Sequence, residues 1–235
     1  RHTRLQGDWS SDVCSSDLSM AKTRTAAPAF TTILLVRHGN TPTTGKVLPG
    51  RAKGLSLSDK GREQAESAAQ RIAALKQVDA VYCSPLERAR ETAAPIAAAR
   101  GLKPKIDRGL LECEFGDWTG AQLSKLYKLP EWSTVQRAPS TFRFPNGESF
   151  TEMQVRIVST LDRLRDAHPG GTIVCVSHAD PIKAAVAHAV GTHLDLFQRI
   201  IISTCSISAL AWSSHGPAAL AINTTGGPIG ELALS

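Results

Sequence analysis

Large aromatic side chains are scarce in this chain, since Phe, Trp and Tyr make up only 5% of its 235 residues. Alanine is abundant instead, so we expect helices that pack closely on small side chains. No run of about 18 apolar residues is present, which excludes a conventional membrane-spanning helix. With 42% hydrophobic and 20% charged residues, the composition is that of a soluble globular protein. One or two domains are expected at this length.

The chain also lacks paired cysteines. Its five cysteines are scattered and without a C-x-x-C pair, which argues against both a disulfide framework and a zinc site. We therefore expect buried free thiols and, because no secretory signal is present, a cytoplasmic protein. The cysteines are Cys14, Cys83, Cys113, Cys175 and Cys205.

Dense basic runs are missing too, although a net charge of +6 permits anionic partners. Lysine and arginine are spread along the chain without interleaved aromatic residues, a pattern that disfavours nucleic acid. The predicted partner is an anionic small molecule, with neither nucleic acid nor a membrane. The sequence leaves a homodimer open.

Residues 1–19 differ in character from the rest of the chain. They resemble the translated adapter read-through found at the edges of assembled metagenomic genes. We interpret them as a non-native leader, with the native start at Met20 and a flexible lead-in over residues 20–30. Residues 31–235 are predicted to form a single domain.

From residue 31 onward, short apolar runs alternate with helical periodicity. This pattern predicts an α/β fold, a three-layer αβα sandwich around a mostly parallel sheet with an antiparallel edge strand. Strands are predicted at 31–37, 79–84 and 172–177, followed by a hairpin of 206–213 and 218–224. Helices are predicted at 59–75, from a capping box at Ser84 to 99, from a capping box at Ser149 to 165, and from Asp180 to 190.

The stretch from about 113 to 147 has weak periodicity and carries Trp118, Tyr127 and Trp132 beside several prolines. Long loops in compact domains usually carry function. We therefore interpret this stretch as an insertion that covers a site.

Basic side chains follow the three predicted parallel strands. Arg37 and His38 end the first strand, Arg88 lies in the first turn of the helix after the second, and His178 follows the third. The carboxyl ends of parallel strands meet at one edge of a sheet, where ligands bind. Two histidines and two arginines are therefore expected to converge on one crevice.

These residue types suit a phosphoryl group in transfer. Arginine matches phosphate oxygens with paired hydrogen bonds. An imidazole can act as a nucleophile near neutral pH, and nearby positive groups stabilise the charge of the transition state.

Four motifs together carry a resemblance to a known family. They are R-H-G-x-T at 37–41, S-P-L-x-R-A-x-x-T-A at 84–93, L-x-E-x-x-F-G-x-W-x-G at 110–120 and V-S-H-A at 176–179. The chain resembles the histidine phosphatase superfamily, which includes the phosphoglycerate mutases, over residues 32 to 224. It is most similar to an actinobacterial subgroup labelled probable phosphomutases.

The resemblance implies a catalytic role for five residues. His38 is the nucleophile that accepts the phosphoryl group, and Arg37 and Arg88 bind the phosphate. His178 is the second histidine on the transferring group. Glu112 protonates the leaving oxygen and then activates water.

The resemblance also implies a phosphate- or substrate-binding set of Asn40, Thr41, Thr44, Arg51 and Ala179. Asn40 departs from the family pattern, which has a glutamate or glutamine after R-H-G, and so does Thr119, where the family has W-E-G. Both differences are expected to affect the choice of substrate and to leave the chemistry in place. Glu114 competes with Glu112 for the acid role, but in an extended segment only one of the two faces the crevice.

The function expected from the resemblance is metal-independent hydrolysis of a small phosphorylated metabolite, with no cofactor. A phosphomutase of the phosphoglycerate mutase type is the first alternative. It is weakened because Cys113 stands where glycolytic mutases have an arginine after the acid. A phosphate-binding regulatory module with little turnover is the second alternative. A metal hydrolase is disfavoured because His188 and His193 have no carboxylate partner at ligand spacing.

Overall fold

The computed structural model of the protein describes residues 30–227. The predicted leader at 1–19, and the predicted lead-in apart from residue 30, lie outside the described residues, as does Cys14. The other four cysteines are free and buried, as predicted. Among the described residues, no helix is both long enough and apolar enough to span a membrane.

Within residues 30–227, six strands form one sheet in the order β3-β2-β4-β1-β5-β6. They are β1 (Thr31–Arg37), β2 (Ala80–Cys83), β3 (Lys105–Ile106), β4 (Thr172–Ser177), β5 (Ile207–Ser213) and β6 (Gly216–Thr224). The first four are mutually parallel, and the β5–β6 hairpin adds two antiparallel strands at one edge. The mostly parallel sheet and the late hairpin are confirmed. The two-residue strand β3 was not predicted.

In the described part of the chain six α-helices accompany the sheet, with short 3-10 turns between them. They are α1 (Asp59–Ala73), α2 (Glu87–Ala98), α3 (Leu123–Leu126), α4 (Trp132–Arg137), α5 (Phe150–Asp166) and α6 (Ala179–Ala189). The predicted capping box at Ser149 is present, because the Ser149 hydroxyl and the Glu152 carboxylate each accept a backbone amide of the other residue. Helix α5 therefore begins where its sequence indicates.

The capping box predicted at Ser84 is wrong. Helix α2 begins two residues later, with Leu86 as a cap that makes no side-chain hydrogen bond. The Ser84 hydroxyl lies 2.8 Å from Nε2 of His178 instead. Likewise, Asp180 does not cap α6, because His178 occupies the capping position and Asp180 lies within the first turn.

Side chains that alternate along β1 divide the core into two layers. Ile33 and Leu35 pack in the cluster that contains the buried faces of α5 and α6. Leu34 and Val36 pack on the other face with α1 and α2. Because successive side chains of a strand point to opposite faces, an unbroken apolar run serves both layers at once. The three-layer sandwich is confirmed.

The turn after β1 packs against the first turn of α1 through two glycines. A Cβ atom on Gly39 would lie 2.5 Å from the Gly61 carbonyl oxygen, and one on Gly61 would lie 2.0 Å from the Asn40 carbonyl oxygen. Neither position accommodates a side chain. This contact fixes the direction in which the chain leaves β1, and so fixes the position of His38.

Candidate active site

Three side chains follow directly after the three central parallel strands. His38 follows β1, Ser84 follows β2 and His178 follows β4. These strands are neighbours in the sheet, so their carboxyl ends lie side by side. The structure therefore brings residues 37–38, 84–88 and 178 to one edge of the sheet, as the sequence pattern indicates.

His38 is 5% exposed, and one of its ring nitrogens is fixed by the backbone. Nδ1 lies 2.8 Å from the carbonyl oxygen of Gly39. A carbonyl oxygen only accepts, so Nδ1 carries the hydrogen and Nε2 keeps its lone pair. Burial lowers the pKa of His38 well below its ordinary value, and the charges of Arg88 and Arg37 lower it further. The ring is neutral, with one free nucleophilic nitrogen.

His178 faces His38, with ring centroids 5.2 Å apart. It is fully buried, and burial together with the charge of Arg88 lowers its pKa well below the ordinary value. Nε2 lies 2.8 Å from the Ser84 hydroxyl. Nδ1 has no hydrogen-bond partner among residues 30–227. Such a buried polar atom is available to a ligand.

Arg88 and Arg37 supply positive charge beside the two rings. Arg88 is fully buried, and its Nη2 donates to the Gly50 carbonyl at 2.8 Å. Within the described part of the chain, its Nε and Nη1 have no partner, and neither does Nε of Arg37. Arg37 donates from Nη1 to the Ile202 carbonyl at 2.7 Å. Each guanidinium is thus held by one backbone carbonyl and keeps other donors for an anion.

Glu112 is the buried carboxyl group of the cluster, with 7% exposure. Its Oε1 accepts the Cys113 amide at 2.9 Å. Burial raises the pKa of Glu112 to about 7, and repulsion from Asp180 adds to this effect, against the Cys113 amide and the two arginines. A carboxyl group with this pKa can both give and take a proton near neutral pH.

A partly buried ion-pair network holds the backbone of Glu112. Arg51 donates from Nε to the Glu112 carbonyl at 2.8 Å, and Arg156 reaches the same oxygen at 3.3 Å. Glu148 accepts from both, with 3.0 Å to Arg51 and 2.8 Å to Arg156. Arg156 also donates to the carbonyls of Gly109 and Leu111. The network ties the loop after β1 to the segment that carries Glu112.

The structure places the guanidinium of Arg51 against carboxylate and carbonyl groups of the protein. Its Nε, Nη1 and Nη2 bind Glu112, Glu114 and Glu148 respectively, so its donors face protein groups. The same contacts separate the two candidate acids, since Glu114 pairs with Arg51 at 3.1 Å and is 39% exposed. Glu112, and not Glu114, lies in the buried cluster.

The remaining predicted binding residues lie around the cluster. Thr41 is buried, and its amide and hydroxyl both lie 2.9 Å from the Thr44 hydroxyl. The side chain of Asn40 has a partner within the protein, because its oxygen accepts from the Ser58 hydroxyl at 2.9 Å. Ala179 is the first residue of α6, where backbone amides have no acceptor within the helix.

Four residues of the site were missed as functional residues in the sequence. Ser84 and Asp180 were interpreted as helix caps, and Glu148 and Arg156 were not singled out. The place of Ser84 directly after a parallel strand was a usable signal. No local pattern marks Glu148 or Arg156, because their partners lie far away in the chain.

Among residues 30–227, no three His, Cys, Asp or Glu side chains come together in a group suited to a metal ion. The arrangement instead offers a neutral nucleophilic nitrogen, several donors for an anion and one carboxyl group poised for proton transfer.

Comparison with known proteins finds a matching family model, relatives in sequence and similar solved structures. A family model described as the histidine phosphatase superfamily (branch 1) matches residues 33–225. Phosphoserine phosphatase 1 of Hydrogenobacter thermophilus is 29% identical over 198 residues, which cover 82% of this chain and 92% of that protein. A mutant of the phosphoserine phosphatase of Entamoeba histolytica, solved in complex with phosphoserine, is 26% identical. It has a TM-score of 0.75 and is matched over 83% of this chain and 98% of that one.

A bifunctional protein of Mycobacterium tuberculosis is also 29% identical over 198 residues, which cover 83% of this chain but 54% of that protein. Two further mycobacterial relatives are matched over the same share, so the chain spans about half the length of these three proteins.

Proposed function

Because the chain belongs to the histidine phosphatase superfamily, we propose that it hydrolyses small phosphomonoesters through a phosphohistidine formed on His38. One observation carries the proposal. The neutral rings of His38 and His178 lie 5.2 Å apart, beside two arginines with free donors and a carboxyl group whose pKa is about 7.

In the first step, Nε2 of His38 attacks the phosphorus atom and the bond to the leaving oxygen breaks. Glu112 gives its proton to that oxygen, so the product leaves as an alcohol. Arg37, Arg88 and Nδ1–H of His178 donate to the other phosphate oxygens, where negative charge gathers in the transition state.

In the second step, Glu112 is a carboxylate and takes a proton from water. The water oxygen attacks the phosphorus atom, the bond to Nε2 breaks, and inorganic phosphate leaves. The raised pKa of Glu112 suits both roles, because the group exchanges its proton readily near neutral pH.

Hydrolysis is favoured over mutase activity by the environment of Cys113. Its side chain is fully buried, and burial raises its pKa, so it offers no charge to a second anionic group. A mutase must hold a substrate with two such groups. Asn40, Thr41, Thr44 and Ala179 are proposed to shape the phosphate loop, and Arg51 to support Glu112.

We also propose a cytoplasmic location, which the buried free thiols support. The partner is a small phosphorylated metabolite. The spread of basic residues along the sequence supports this choice over nucleic acid. We also propose that the protein forms a homodimer, and a measurement of its mass in solution tests this.

A turnover assay on the purified protein tests the function. The substrates are an aryl phosphate, and 3-phosphoglycerate with and without 2,3-bisphosphoglycerate, each with a chelator present. We expect phosphate release that needs neither metal nor bisphosphate. Isomerisation of 3-phosphoglycerate without phosphate release would establish the mutase, and phosphate binding without turnover would establish the regulatory module.

A further inference from the structure

A pocket of about 190 Å³ lies between the cover segment (residues 113–147) and α6. Most of its wall is apolar and comes from the cover segment, α5 and the loop after β1. These apolar residues are Leu48, Phe115, Trp132, Val135, Phe144 and Phe150. The aromatic rings support one another, with Phe115 and Phe144 centroids 4.8 Å apart and Phe144 and Phe150 centroids 5.1 Å apart.

Two residues of the pocket wall lie close in the chain to residues of the active site. Asp180 lines it and lies two residues after His178, and Phe115 lines it three residues after Glu112. The charge of Asp180 contributes to the raised pKa of Glu112, which requires the two carboxyl groups to be close. Glu112 is the group proposed to protonate the leaving oxygen. Phe115 and Asp180 join the pocket to the segments that carry Glu112 and His178, and on this ground the leaving alcohol of a substrate is assigned to it.

The polar wall of the pocket carries an ion pair that is already complete. Nζ of Lys183 lies 3.4 Å from Asp180 Oδ1 and 3.0 Å from Gln198 Oε1. It also lies 5.8 Å from the ring centroid of Phe197. The Lys183 and Asp180 side chains are only 16% and 17% exposed. Lys183 thus has its charge balanced in place and does not require an anion from the substrate.

Size and charge together define what fits. The volume is below the roughly 300–1,000 Å³ of pockets that bind drug-sized molecules, so the leaving group is small. A carboxylate in this pocket would meet the charge of Asp180 and would have to compete with it for Lys183. Burial of an incompletely paired charge is costly.

We propose that this pocket selects phosphomonoesters of compact, uncharged and largely apolar alcohols, and disfavours alcohols that carry a carboxylate. The proposal rests on the proposed function, since it assigns the leaving-group end of that same site. It sets this chain apart from phosphatases named for phosphoserine, whose leaving group carries a carboxylate and an ammonium group.

The test compares kcat/KM for 2-phenylethyl phosphate and for O-phosphoserine. Both are alkyl esters, so both leaving groups need protonation, and the comparison reports on the pocket. We expect 2-phenylethyl phosphate to be preferred by at least about ten-fold. Equal values, or a preference for O-phosphoserine, would overturn the proposal.

Two variants identify the pocket as the cause. Trp132→Ala should lower kcat/KM for 2-phenylethyl phosphate by about ten-fold and leave that for ethyl phosphate within about two-fold. Trp212→Ala is the matched control, because Trp212 is also half-buried but lies on β5 and does not line the pocket. Asp180→Asn removes the repelling carboxylate, so it should raise kcat/KM for 3-phosphoglycerate, whose leaving group carries a carboxylate and no ammonium group, by about ten-fold relative to that for 2-phenylethyl phosphate. An unchanged ratio in both pocket variants would contradict the proposal.

Hydrolysis of an aryl phosphate by the same preparation distinguishes a failure of the pocket assignment from a failure of the proposed phosphatase function. If the aryl phosphate is hydrolysed and O-phosphoserine is the better alkyl ester, the pocket assignment fails and the phosphatase function stands. If no phosphate ester is hydrolysed, the proposed function itself fails.

Discussion

The Ser84 hydroxyl lies 2.8 Å from Nε2 of His178, and both residues are fully buried although they are 94 positions apart in the chain. The Ser84 oxygen also accepts the Leu86 amide at 3.4 Å. The hydroxyl has one hydrogen to donate, and among the described residues Nε2 is its only partner able to accept it, so we assign Ser84 as the donor. His178 then carries its own hydrogen on Nδ1, the nitrogen without a partner among the described residues. In the proposed mechanism, Ser84 thus prepares His178 as a donor to phosphate.

Replacement of Ser84 by alanine tests this relationship. Ser84→Ala removes the group that fixes the tautomer of His178, so we expect kcat for an aryl phosphate to fall by about 10-fold or more, the size typical of such indirect contacts. Binding of inorganic phosphate, measured by competitive inhibition, should weaken as well.

Ser206→Ala is the control for that experiment. Ser206 is also fully buried, and its hydroxyl has no partner within residues 30–227. Its loss should leave kcat unchanged within about two-fold. Similar losses in the two variants would mean that Ser84 acts only through packing.

Glu112→Gln should separate substrates by the basicity of their leaving groups. Glutamine cannot give a proton, so the release of an alkyl alcohol should slow by about 100-fold or more, whereas an aryl alcohol needs little protonation. In a single-turnover measurement on the wild-type protein, alkyl alcohol release should slow as the pH rises above about 7, where Glu112 loses its proton. This slowing of alcohol release at high pH should be absent in Glu112→Gln. Equal losses on both substrates would remove the acid role from Glu112.

The same substitution should change stability in a pH-dependent way. The pKa of Glu112 is raised from 4.5 to about 7 in the folded protein, so the folded state binds the proton more tightly than the unfolded state. Its contribution to stability is present at low pH and is lost as the pH rises from about 4.5 through 7. The free energy of unfolding of Glu112→Gln, relative to wild type, should therefore rise by about 3 kcal/mol between about pH 4 and about pH 8. Urea unfolding at both pH values measures it, and a pH-independent difference would contradict the raised pKa.

Glu148→Gln should impair catalysis, although Glu148 has no contact with the substrate in the proposed mechanism. Glu148 holds Arg51 and Arg156, which in turn hold the Glu112 carbonyl. Loss of its charge should lower kcat by about ten-fold with a smaller change in KM. The pH dependence of alkyl alcohol release should shift as well, because Glu112 moves relative to the arginines.

The matched control is Glu152→Gln, four residues further along the chain in the first turn of α5. Glu152 pairs with Arg143 in an exposed position, where an ion pair contributes about 0–1 kcal/mol. It should leave kcat unchanged. If both variants behave alike, the network is structural support for α5 and does not position Glu112.

The sequence predicted the parts of the molecule that depend on local pattern. The apolar run at 31–37, the alternation of strands and helices and the convergence of His38 and His178 all follow from periodicity and strand direction. The strand Lys105–Ile106 was missed because it has two residues, both exposed, and so shows no apolar run.

Long-range contacts are the part of the structure that local sequence patterns did not show. Ser84 satisfies the local rule for a helix cap, yet a histidine 94 residues away takes its hydroxyl. Arg51 lies in a loop that suits substrate binding, yet Glu148 is 97 residues away and holds its guanidinium. Buried polar groups find partners across the fold, and a single sequence does not show which partners these are.

The most direct test of the account is to trap the covalent intermediate. Rapid alkaline quench of the protein with a labelled aryl phosphate, followed by digestion and mass spectrometry without acid, locates the phosphoryl group. We predict a phosphoryl group on His38 that is stable in base and labile in acid, equally abundant with a chelator present. It should be absent in His38→Ala and retained in His188→Ala, which removes an exposed histidine. A phosphoryl group on another residue, or turnover that persists in His38→Ala, would contradict the account.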